Sequence, residues 1–220
     1  MSSAFFLTGT DTEVGKTHVT CALLHRARQA GLSAVGLKPV AAGTDARGEN
    51  DDVRRILAAS SVELPGEIVN PYCFAPAIAP HIAAADVGVD IDFTRIAETV
   101  AEARRHADLI IVEGAGGFCV PFGTHRNAAD LAVTLALPVI LVVGMRLGCL
   151  NHALLTAEAI ANRGLIIAGW VANSVTPEMD RIEENLEILK TLLDAPLLGV
   201  LPYSPETTPA EAGKRLSLPD

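Results

Sequence analysis

The sequence predicts an α/β fold, a three-layer domain spanning residues 1–220 whose mostly parallel central sheet is flanked by helices. Three observations predict it. Short apolar, β-branched runs alternate with helical patterns along the whole chain, as strand–helix–strand units require. Several of those runs are apolar on both alternating faces, the mark of a parallel sheet covered on each side. Half of the residues are hydrophobic and only 20% are charged, which suits a packed globular chain and excludes a disordered one.

The strands, in order, are Ala4–Thr8, Ser33–Leu37, Asp108–Glu113, Pro138–Gly144, Ile166–Asn173 and Pro196–Leu201. A helix from about Gly15 to Ala30 buries Val19, Ala22, Leu23 and Ala27 and stops at Gly31. Asp92 opens another, closed by Arg104, Arg105 and His106, and both ends suit the helix dipole. From about Glu178 to Leu193, Ile182, Leu186, Leu189 and Leu193 form one stripe opposite a solvated acidic face. The segment from Ser60 to Val89, with Pro65, Pro71, Pro76 and Pro80, lacks a period and is expected to run as a long excursion over the strand ends.

Charge and cysteine usage exclude further classes. Seventeen basic against 26 acidic side chains leave a net charge of −9, which argues against a nucleic-acid partner. The apolar run Leu135–Met145 contains Pro138 and Gly144 and reads as a buried strand, not a membrane span. The N-terminus has no basic lead for a signal peptide. Cys21, Cys73, Cys119 and Cys149 form no Cys-x-x-Cys pair, so reduced thiols in a cytoplasmic protein are expected. The six histidines show no metal-ligand spacing.

The strongest motif is Gly9-Thr10-Asp11-Thr12-Glu13-Val14-Gly15-Lys16-Thr17, between a strand and a helix. Such a loop aims backbone N–H groups inward as an anion nest. Lys16 is placed to reach the β- and γ-phosphates, and the Thr17 hydroxyl to ligate Mg²⁺. The first glycine lies one residue further out than usual, but strand–loop–helix is the context the motif needs. A dinucleotide loop is excluded because Asp11 stands where its second glycine belongs, and Cys119 spoils Gly114-Ala115-Gly116-Gly117 in the same way. Asn173 lacks the lysine and aspartate that accompany guanine-reading asparagines, which favours ATP.

Three further segments stand out: Gly36-Leu37-Lys38-Pro39-Val40, Val112-Glu113-Gly114-Ala115-Gly116-Gly117, and Gly148-Cys149-Leu150-Asn151-His152-Ala153. Glu113 ends a central strand, where a carboxylate of phosphate-loop proteins holds Mg²⁺. Alone, it could instead cap the next loop, and Lys38 could equally be a surface strand-end lysine. In this order, and with Gly9–Thr17 and Ala168–Thr176, the segments resemble the dethiobiotin synthetases over residues 4 to about 203.

The resemblance implies an ATP- and Mg²⁺-dependent ligase that closes 7,8-diaminopelargonate and CO₂ into a cyclic urea, through a carbamate and a carbamic-phosphoric anhydride. It implies catalytic roles for Lys38, Lys16 and Thr12. Nucleotide contacts fall on Glu13, Val14, Gly15, Lys16, Thr17, His18, Asp52, Glu113, Gly114, Ala115, Gly116, Asn173 and Ser174, with Pro202 and Tyr203 near adenine. Thr17, Asp52 and Glu113 are implied as metal ligands, with Asp51 as the alternative register. Substrate contacts fall on Thr12, Lys38 and Ala42, and on Gly148, Cys149, Leu150 and Asn151, which hold the substrate carboxylate across a homodimer interface. At Ala42 the family often has serine, so Thr44 or a backbone group must substitute, or the contact is dispensable. Without the resemblance, Gly148–Asn151 reads as a strand-to-helix turn with Asn151 as the cap.

The rival is a partitioning-type switch ATPase of the same phosphate-loop class. Those carry a lysine five positions before the Gly-Lys-Thr lysine, and here that position is Asp11.

Overall fold

The computed structural model describes residues 2–219. In chain order its elements are β1 (Ser3–Gly9), α1 (Lys16–Gln29), β2 (Ala34–Leu37), β3 (Val40–Ala42), α2 (Asp51–Ala59), α3 (Gly66–Val69), β4 (Tyr72–Phe74), α4 (Pro80–Asp86) and α5 (Phe93–Ala103). There follow β5 (Leu109–Gly117), α6 (Ala128–Leu135), β6 (Val139–Met145), α7 (Cys149–Asn162), β7 (Ile167–Ser174), α8 (Ile182–Leu192), β8 (Leu197–Leu201) and α9 (Pro209–Gly213). The main sheet has six strands in the order β2-β5-β1-β6-β7-β8. Every pairing in it is parallel.

Alternation along the strands divides the core. Ala4 and Phe6 of β1, with Ile110 and Val112 of β5, join the layer that contains α5 and α6. Phe5 and Leu7, with Leu109 and Ile111, face α1 and α9 on the other side. Leu141, Val143 and Trp170 pack beneath α7 and α8 in a third cluster. Glu113 lies two residues beyond Ile111, so the period of a strand turns its side chain toward α1.

The excursion is better ordered than the sequence predicts. Residues 60–89 contain α3, β4 and α4, and β4 pairs in parallel with β3 as a separate two-stranded sheet. The helix expected from Glu178 begins at Ile182, because Arg181 just before it is held at φ 56°. Parallel strands place all their C-terminal ends on one edge, where open α/β sheets bind ligands. That edge carries the loops after β1, β2, β6 and β8.

Candidate active site

The loop after β1 closes over itself before entering α1. Glu13 and Gly15 both have positive φ, 59° and 87°. This backbone turns successive N–H groups to one side, as an anion nest requires. Gly15 is needed twice over, since a Cβ there would also lie 2.2 Å from Asn173 Nδ2. Asn173, at the end of β7, donates from Nδ2 to Val14 O at 2.8 Å and so pins the loop. Asp11 anchors the other side through an ion pair with Arg146, 2.6 Å long. Lys16 donates to Asp11 O at 2.9 Å across the loop.

Beside the loop opens a cleft of about 810 Å³. It gathers Thr12, Glu13, Gly15, Lys16, Thr17, His18, Lys38, Ala42, Asp52, Glu113, Ala115 and Gly116 of the residues singled out above. Lys38 follows β2 with its backbone held on both sides: its N–H donates to Val69 O, and its carbonyl accepts from Asn70 Nδ2. Its ammonium, almost fully buried, lies 2.6 Å from Glu113 Oε1 and 3.2 Å from Asp52 Oδ2. Thr17 Oγ1 donates to the same Glu113 Oε1 at 2.6 Å.

The electrostatics follow from this packing. Burial by itself lowers the Lys38 pKa, but Glu113 and Asp52 outweigh it and raise the value. Burial pulls the Asp52 carboxyl up, and the Lys38 ammonium beside it outweighs that and brings it below the ordinary range. Lys16 has no such carboxylate in contact; burial first and then the Lys38 charge lower it to about 8. Asp51 points elsewhere, pairing with Arg54 and standing 4.0 Å from Arg55 in the open. The register of the helix start thus puts Asp52 in the cleft and Asp51 outside it.

The donor set is suited to a hard cation. Thr17, Asp52 and Glu113 offer oxygen only, and Mg²⁺ takes few protein ligands and fills its shell with phosphate and water oxygens. Among the described residues no group of three His, Cys, Asp or Glu side chains gathers as a metal cage.

Other predicted positions do not line the cleft. Val14 is buried beneath the loop, and Gly114 contributes its carbonyl, 3.3 Å from Lys38 Nζ. Ser174, Pro202 and Tyr203 lie toward the β7–β8 end of the same sheet edge, outside the cleft lining. Gly148–Asn151 opens α7 outside the cleft. Gly148 is the N-cap, at φ 94°, so Asn151 sits inside the first turn and does not cap the helix. Sequence reasoning missed Asn50, which caps α2 by accepting from Val53 N and braces the loop by donating to Gly43 O. An asparagine before Asp51 and Asp52 is itself a helix-start signal. It also missed Arg55 and the apolar wall of Val40, Ile78 and Val120.

A family model described as an AAA domain matches residues 3–211. The ATP-dependent dethiobiotin synthetase BioD of Aromatoleum aromaticum is 56% identical over 219 residues, covering 98% of this chain and 97% of the relative. The enzyme of the same description from Pseudomonas aeruginosa is 53% identical, covering 98% and 96%. The chain belongs to the dethiobiotin synthetase family. Among solved structures, the MinC:MinD cell division complex of Aquifex aeolicus superposes with a TM-score of 0.59 at 15% identity, covering 97% of this chain and 87% of that one. That likeness shows the fold alone. Within the dethiobiotin synthetase frame, Asp11 is a loop anchor, bonded to Arg146 where the switch ATPases carry their additional lysine.

Proposed function

We propose that the cleft closes 7,8-diaminopelargonate and CO₂ into dethiobiotin at the expense of ATP. The observation that carries this is the meeting of Lys16 and Lys38 with Asp52 and Glu113 beside an apolar wall. A diamine with a fatty chain needs both halves of that surface. One amine adds to CO₂ and loses a proton to give a carbamate. A carbamate oxygen attacks the γ-phosphorus, and the bond to ADP breaks. The second amine then attacks the carbamoyl carbon, the bond to phosphate oxygen breaks, and the amine proton is lost as the five-membered urea forms.

Each step gathers negative charge, and Lys38 is placed to hold it on the carbamate and the transferring phosphoryl group. Lys16 spans the loop toward the β- and γ-phosphates. Thr12, whose hydroxyl lies near Gly116, faces the substrate from the loop side. Thr17, Asp52 and Glu113 would hold Mg²⁺, which neutralises triphosphate charge when bound. Asn173, Ser174, Pro202 and Tyr203 make the adenine end, and at Ala42 either Thr44 or a backbone group meets the substrate, or the contact is dispensable.

The carboxylate of the substrate is several methylenes from its amines. In this reading it binds the amides of Gly148–Asn151 from a second copy, so that the enzyme is a homodimer with two composite sites. All 220 residues act as one domain, in the cytoplasm, with small molecules as its other partners.

Phosphate release tests the reading. It should require the diamine and bicarbonate together. Turnover of ATP with neither present would favour the switch ATPase and sink the synthetase reading.

A further inference from the structure

The Glu113 carboxylate is held at both oxygens. Oε1 accepts from Thr17 Oγ1 and Lys38 Nζ, each at 2.6 Å. Oε2 accepts from Thr20 Oγ1 at 2.7 Å. Thr20 is fully buried on α1 and takes no part in the cleft lining. It lies one turn beyond Thr17, on the face that strand alternation makes Glu113 meet.

The direction of this hydroxyl is informative. A threonine inside a helix usually returns its single donor to the carbonyl three or four residues back. Thr99, Thr134, Thr156 and Thr191 all do so here. Thr20 instead spends its donor on a carboxylate 93 residues away in sequence. Without that donor a buried carboxylate oxygen would be unpaired, and the group would be held only at its other oxygen, by Thr17 and Lys38.

We infer that Thr20 is a positioning residue. Its hydroxyl fixes the rotation of the Glu113 carboxylate so that Oε1 is presented to Thr17, Lys38 and the metal side of the cleft. The inference rests on reading the cleft as a Mg²⁺-ATP site. Partners that orient ligating groups typically change metal affinity by about 10–100-fold when removed.

The test is calorimetric titration of the full chain with ATP, with and without Mg²⁺, for the wild type, Thr20→Val and Thr20→Ser. Thr20→Val keeps the shape and removes the donor. It should reduce the affinity that Mg²⁺ adds by about ten-fold while metal-free ATP binding stays within about two-fold. Thr20→Ser should recover the wild-type increment. Should the valine variant not fold, Thr20→Ala removes the same donor with less bulk beside Glu113. A wild-type Mg²⁺ increment in the donorless variant overturns the inference, as does an equal loss with and without metal. A wild type that gains no ATP affinity from Mg²⁺ overturns the reading of the cleft itself.

Discussion

The phosphate loop and the turn that opens α7 share one edge of the sheet, yet they are built in opposite ways. At the loop, Lys16, Thr17, Lys38 and Glu113 are buried, and their polar ends are bonded to one another or to backbone. At the α7 turn, Leu147 is 98% exposed and Gly148 and Asn151 stand open, with no side-chain cap on the helix. Charge at the first region is organised by desolvation and close partners within the chain. The second presents exposed backbone at Gly148 and Asn151 and the apolar side chain of Leu147, while Cys149 is buried with its N–H bonded to Arg146 O. On the proposed reading the difference separates the half of a composite site that is organised within one copy from the half that meets the other copy.

Removing the charge at the centre of the loop region should have the largest effect. Lys38→Ala should lower kcat by about a hundred- to a thousand-fold, the usual loss when a charge-stabilising donor is removed from a dry site. ATP binding should change little, because Lys16 and the loop amides remain. Near-normal turnover in that variant would remove Lys38 from the chemistry.

The α7 turn is tested by complementation. At Gly148 the space where a Cβ would stand is open, so an indole there meets no clash, although φ 94° strains any side chain and the variant's fold must be checked. Lys38→Ala and Gly148→Trp should each be inactive alone. Mixed in equal amounts with free exchange, half of the dimers carry one intact site of two, so about a quarter of wild-type activity should return. No recovery after proven exchange would mean that each chain binds the carboxylate by itself.

Legibility in the sequence follows the same division. The strands of the main sheet were readable because each is a run of apolar residues bounded by a turn. The phosphate loop was readable because its chemistry is local. The β3 and β4 strands were not, since three residues carry no period and their pairing joins segments some thirty residues apart. The helix α6 went unread although Asn127 and Asp130 form a reciprocal capping box at its start. The Thr20 hydroxyl could not be read at all, because its partner is supplied by β5 and only the fold brings them together. The turn before α7 was legible as a motif, whereas the partner proposed for it, a second copy, is not something one chain's sequence can place.

A finer comparison lies within the loop region, between two adjacent carboxylates. Asp52→Asn should raise the Mg²⁺ needed for half-maximal turnover by about 10–100-fold, since it removes a charge beside Lys38 and Thr17. Asp51→Asn loses only exposed pairs with Arg54 and Arg55, of the kind that contribute little. Titration of activity with Mg²⁺ checks the ranking, and the reverse order would place the wrong carboxylate at the metal.

The smallest expected effect distinguishes the two lysines by proton. Burial and the neighbouring Lys38 lower Lys16 to about 8, whereas the carboxylates around Lys38 raise its pKa and keep it charged over the same range. Between pH 7 and 9 the free chain therefore loses the Lys16 proton while Lys38 stays charged. A triphosphate favours the ammonium form, so binding above pH 8 must draw a proton back onto Lys16. By linkage, ATP affinity should fall by up to about ten-fold from pH 7 to pH 9. Calorimetry in buffers of different ionisation enthalpy should detect proton uptake at pH 8.5. Lys16→Arg keeps its charge throughout, so any binding it retains should show neither the uptake nor the fall. Equal uptake in that variant would move the titrating group away from Lys16 and leave burial of the loop lysine without its expected consequence.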